Sequence, residues 1–125
     1  MPPYAGAGSA KLLNTNSQTF LWNAERVPTS TASLAVQLER QKSAFYPNGV
    51  SIEIAFSGNP GAFEVDIQTS DTDQDANYVT VNAVTANLNA SNVARVERPD
   101  IYAKFIRAYL KTLTNNVNIT VQVTR

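Results

Sequence analysis

The chain has 125 residues, 43% of them hydrophobic, enough for one domain that buries a core without a metal or a disulfide. It has no cysteine and no histidine, which excludes a disulfide framework, thiolate chemistry, and the commonest general base and zinc ligand. Ten basic residues balance ten acidic ones, so net charge gives no long-range attraction to nucleic acid or to an anionic membrane.

Residues 1–17 are rich in Pro, Gly, Ala, Ser and Asn and predict an extended N-terminal arm ahead of a single domain over 18–125. The start, Met1-Pro2-Pro3-Tyr4, has no charged segment followed by an apolar run, so no secretory signal is predicted. No stretch approaches the roughly 20 apolar residues of a membrane helix. A frayed tail is one reading of this segment; Tyr4 and the pair Leu12-Leu13 favour an arm that docks on a neighbouring molecule.

Period-two alternation then dominates. Phe20 and Trp22 mark a strand near 18–24, and Leu34, Val36 and Leu38 a second. Val50, Ile52, Ile54 and Phe56 alternate with Ser51, Glu53 and Ala55, and after the turn residues Ser57 to Gly61 the run Phe63, Val65, Ile67 alternates with Glu64, Asp66 and Gln68. The spacing predicts a hairpin of 50–56 with 63–69. Further strands are predicted at 78–84 and 93–97, separated by an Asn-rich loop. The segment 101–113 fits a strand by its aromatic and β-branched content and a helix by the spacing of Tyr102, Ile106, Tyr109 and Leu113. As a strand it would make a terminal hairpin with 117–123. About seven or eight short strands predict an all-β, antiparallel two-sheet jelly roll or β-sandwich.

The charges are segregated. Glu53, Glu64, Asp66, Asp71, Asp73 and Asp75 fall in a stretch without a basic residue, whereas Arg95, Arg98, Lys104, Arg107, Lys111 and Arg125 crowd the C-terminal part. Solvated strand faces account for this; so would complementary patches meeting between subunits, with Arg95 and Arg98 among the contacts.

Candidate chemistry is sparse. Asp71, Asp73, Asp75 and Asn77 place oxygen ligands at alternate loop positions, as a Ca²⁺ site requires, but Ala76 stands where the EF-hand loop needs Gly and Asn82 where it needs Glu. No metal and no cofactor is therefore expected. Glu64 and Asp66 share a strand face about 7 Å apart, a common arrangement on exposed strands. No serine lies in a nucleophile elbow, and no enzyme activity is expected. Trp22, Tyr46, Tyr78, Tyr102 and Tyr109 suggest either core packing or a sugar-stacking platform. Arg95, Arg98, Lys104 and Arg107 near Tyr102 and Phe105 would suit a nucleic-acid stripe, but Glu97 and Asp100 interrupt it, and neither nucleic acid nor membrane is expected as a partner.

The stretch from Val50 to Asp75, with Gly58-Asn59-Pro60-Gly61 between its two alternating runs, and the ending from Ala103 to Arg107 and Val117 to Arg125 resemble small jelly-roll structural proteins of tailed bacteriophages. The likeness is to head decoration, or cement, proteins and spans roughly residues 30–125. It implies a non-enzymatic protein on the capsid surface of the virion, assembled in the host cytoplasm. Its partners would be the major capsid protein and further copies of itself, as a dimer or trimer. A carbohydrate-binding sandwich module, or a tail or neck adaptor, are the alternatives.

Overall fold

The computed structural model describes residues 11–14, 17–39 and 49–125. In chain order the strands are β1 (Lys11–Leu13), β2 (Gln18–Glu25), β3 (Thr31–Ala32), β4 (Val36–Leu38), β5 (Val50–Phe56), β6 (Phe63–Ser70), β7 (Val79–Val84), β8 (Val93–Arg98), β9 (Phe105–Leu113) and β10 (Ile119–Thr124). A 3-10 turn at Asp75–Asn77 interrupts them, and no helix among the described residues is long and apolar enough to cross a membrane.

The strands form two sheets. One runs β1-β4-β9-β6-β7 with β3 also against β9, and the other runs β2-β10-β5-β8. The antiparallel pairs are nested: β2 with β10, β4 with β9, β5 with β8, and β6 with β7. Pairing of β10 with β5, and of β9 with β6, joins these ribbons side by side. The β1–β4 contact departs from the antiparallel expectation, since it is parallel.

The two expected hairpins do not form. β5 and β6 lie in different sheets, and so do β9 and β10. Alternation specifies which side of a strand is buried, and it is blind to which strand lies alongside. Both connections instead cross between the sheets, and they brace one another. Ser57 N donates to Asn118 O at 2.9 Å, Asn115 N to Pro60 O at 3.0 Å and Thr114 N to Ala62 O at 3.0 Å. Phe56 and Phe63 flank the first crossing and meet edge-on inside, with ring centres 5.0 Å apart. Gly61 has φ of 69°, and a Cβ there would sit 3.2 Å from Thr114 and Asn115, so the crossing requires glycine.

The inward sides of both sheets share one core. Ile52 and Ile54 of β5 and Val121 and Val123 of β10 pack with Val65, Ile67, Ile106 and Leu110 of the other sheet. Each such side chain contributes roughly 1.5–3 kcal/mol on leaving water. The segment 101–113 is a strand only from Phe105 onward; Ile101 precedes it as a buried lead-in. Three residues separate β3 from β4, the first of them Ser33. Its backbone N donates to Ala108 O at 2.8 Å, and its Oγ accepts from Ala108 N at 3.0 Å, so pairing with β9 continues through the break. The Asn-rich loop works through its side chains: Asn87 and Asn92 take positive φ, and Asn89 Oδ1 accepts from Ser91 N and Val93 N.

Candidate functional site

The unusual chemistry lies on the outer face of the sheet containing β9. There Gln68 sits opposite Arg107 and Asp66 opposite Tyr109, while the alternate residues Val65, Ile67, Ala108 and Leu110 point into the core. Outward-facing charges are ordinarily wet. Here Arg107 is only 4% exposed and Asp66 only 7%.

The loop 71–77 folds down onto Arg107. Arg107 Nη1 donates to Asp75 Oδ1 at 2.7 Å, its Nε donates to Gln68 Oε1 at 2.9 Å, and its guanidinium lies 4.0 Å from the centre of the Tyr78 ring. Tyr78 in turn donates to Asp73 Oδ1 at 2.8 Å, and Asp73 is buried. Asn77 Nδ2 donates to Thr72 Oγ1 and Gln74 Oε1. Three of the four residues considered for Ca²⁺, Asp73, Asp75 and Asn77, thus have separate partners, and Asp71 is exposed at the loop's start. Among the described residues no group of three or more acidic side chains converges as a metal ion would require.

Asp66 is the second feature. Its Oδ1 is buried without a hydrogen-bond donor, and its Oδ2 receives only a long contact, 3.5 Å, from Thr80 Oγ1. Burial first, and then the neighbouring Glu64 carboxyl through hydrogen bonding and charge, push the Asp66 pKa from 3.8 up to about 6, against the opposing pull of Lys111 and Thr80. Lys111 Nζ stands 3.6 Å from Glu64 Oε2. The spacing of Glu64 and Asp66 put both on one strand side; that this side is covered was not legible in it, and Gln68 and Arg107 likewise carried no signal of a shared network.

The segregated charge blocks meet within the chain. Acidic β5 lies beside basic β8, where Glu53 and Arg95 are direct cross-strand partners with a 3.0 Å ion pair. Acidic β6 and its following loop lie beside basic β9 through the Glu64–Lys111 and Asp75–Arg107 pairs. Arg98 does something different. From the edge of one sheet it donates to Val81 O at 3.1 Å and Asn82 Oδ1 at 2.9 Å on the edge of the other, and it also pairs with Asp100 at 3.3 Å.

Tyr4 and Tyr46 lie outside the described residues, as does most of the expected arm, residues 1–10 and 15–16. Leu12 is 50% exposed while Leu13, beside it on β1, is 3% exposed and part of the core. The other aromatics do not form one platform: Trp22 is in the core, Tyr78 covers Arg107, Tyr109 faces Asp66 across the strands, and Tyr102 is exposed. Lys104 sits over the buried Phe105 ring at 5.5 Å. An open cleft of about 310 Å³ separates the edges of β7 and β8, lined by Asn82, Val84, Asn87, Ala94, Arg95 and Val96 among others. A second, of about 450 Å³, lies between Val27 and Leu113. No acidic side chain lines either cleft, so the Glu64–Asp66 pair stands apart from both.

Comparison of the chain with protein-family models, with curated proteins and with solved structures gives no match.

Proposed function

We propose that this domain is a non-enzymatic structural protein of a virus particle, a jelly-roll decoration protein that clamps neighbouring major capsid subunits of a tailed-phage head. The observation that carries the reading is the nested pairing of β2 with β10, β4 with β9, β5 with β8 and β6 with β7. A double ribbon paired in that way, rolled until its halves lie side by side, makes the eight-stranded jelly roll used by viral capsid and lectin domains. The likeness of 50–75 and of the C-terminal strands to phage decoration proteins favours the capsid over a sugar.

The mechanism is linkage. A protein that binds only the assembled lattice stabilises that lattice by mass action, and repetition over many copies multiplies the effect. The exposed Leu12 and the cross-strand row Phe20, Gln122, Glu53 and Arg95 of the second sheet offer contact surface for capsid subunits or further copies of this chain.

Quantitative mass spectrometry of purified particles tests this reading. A capsid clamp is present in on the order of hundreds of copies, as the symmetry of the shell demands. Absence from particles overturns the proposal; a handful of copies overturns it in favour of a tail or neck adaptor. Binding of the intact protein to a glycan array overturns it in favour of a carbohydrate module.

A further inference from the structure

We propose that β8 pairs edge to edge with β8 of a second copy of this chain, antiparallel about a two-fold axis through Val96, so that Arg95 of each copy lies opposite Glu97 of the other. β8 ends the sheet β2-β10-β5-β8, and among the described residues one of its sides has no neighbouring strand. The cleft of about 310 Å³ opens along that side, bordered by Ala94, Arg95 and Val96.

The open side carries unpaired backbone groups. In an antiparallel ladder, alternate residues turn their N–H and C=O groups to the same neighbour. Phe56 N donates to Asn92 O at 3.0 Å, and the register carries that alternation on through Ala94, Val96 and Arg98, which bond to β5. Val93, Arg95 and Glu97 therefore direct their groups away from β5. Asn89 takes up both groups of Val93: its N donates to Val93 O at 2.9 Å, and its Oδ1 accepts from Val93 N at 3.1 Å. Among the described residues no such partner reaches the outward backbone of Arg95 or Glu97. Free groups in a row on an edge strand are a template for another strand.

Charge fixes the register. A strand that meets its own copy about a two-fold axis pairs antiparallel, and only Arg95 and Glu97 have groups to offer. An axis through Arg95 or through Glu97 sets like charges face to face, which is destabilising. The axis through Val96 sets Arg95 opposite Glu97 on both sides of it and joins every free N–H and C=O of these residues. Arg95 then stands between Glu53 of its own sheet, 3.0 Å away, and Glu97 of the second copy. Glu97 is exposed, has no ion pair among the described residues, and gains one. On the inward side the half-buried Val96 meets its counterpart, and Pro99, which has no N–H, ends the pairing. Opposite charges at alternate positions of one short strand are complementary to the same strand reversed, so the occupant of this edge is a second copy. The inference is independent of the capsid reading, and its failure leaves that reading standing.

Sedimentation velocity of the full chain over a concentration series tests the proposal. The native chain is expected to form a reversible dimer that about 0.5 M sodium chloride weakens, since its ion pairs are exposed. Arg95→Glu and Glu97→Arg are each expected to weaken dimerisation at least about tenfold, because like charges then face one another. Both side chains are exposed, so these variants keep the fold. An equimolar mixture of the two is expected to dimerise again, because one variant presents only negative charges on this edge and the other only positive ones. Arg95→Pro removes an N–H from the open side, leaves the ladder to β5 intact, and is expected to weaken the dimer as well. A native chain that stays monomeric throughout overturns the proposal, and so does a dimer that either charge reversal leaves unchanged. A mixture that associates no more than each variant alone overturns it too.

Discussion

The guanidinium carbon of Arg107 lies over the Tyr78 ring, 4.0 Å from its centre, and this contact marks the only place among the described residues where an arginine is buried. A planar cation can stack and still direct its N–H groups sideways, here to Asp75 and Gln68. Through this arrangement the loop 71–77 is held against β9.

Replacement of Arg107 is accordingly expected to weaken the fold more than replacement of its acidic partner. Asp75 is largely solvated, so Asp75→Asn should cost below about 1 kcal/mol. Arg107→Ala removes the stacking, the Gln68 bond and buried methylenes together and should cost about 2–3 kcal/mol. Arg107→Lys should recover little of this, because an ammonium cannot stack and fork at once. Urea unfolding of the three variants checks the order.

Leu12 and Leu13 are neighbours with opposite fates. Leu13→Ala should lower stability by about 2–4 kcal/mol through a cavity in the shared core, whereas Leu12→Ala should change it by less than about 0.5 kcal/mol. On the capsid reading Leu12→Asp should weaken attachment to particles without changing the denaturation midpoint. Cosedimentation with particles, beside chemical denaturation, separates these effects.

Arg98 closes the open side of the two-sheet arrangement by joining the edges of β8 and β7. Exposed edges invite pairing with other chains. Arg98→Ala should therefore lower stability by about 1–2 kcal/mol, speed amide exchange in β7, and raise self-association in analytical ultracentrifugation.

The raised pKa of Asp66 sets the sign of one pH effect. Its folded value, about 6, exceeds its unfolded value of 3.8, so its contribution to stability is complete below about 4 and disappears as pH rises through 6. The effect is read as a difference: the melting-temperature gap between Asp66→Asn and the native chain should favour the variant more at pH 7.5 than at pH 4.

What the sequence determined by itself was local. Hydrophobic alternation located the strands, and β5 matches its expected limits at Val50 and Phe56 because a side chain's face depends only on its position along its own strand. The content of β-branched and aromatic residues chose strand over helix for most of 101–113. Glu53 and Arg95 were visible as members of segregated charge blocks, but not as partners, since 42 positions separate them.

Tertiary structure alone decided which strands lie together. A turn such as Ser57 to Gly61 has the same composition whether the chain folds back in its own sheet or crosses to the other, and Phe56 meeting Phe63 across the core belongs to the second case. The covered state of Asp66 and Arg107 was hidden for the same reason. Burial of an outward-facing residue depends on what later segments of the chain lay over it, and neither its identity nor its spacing encodes that.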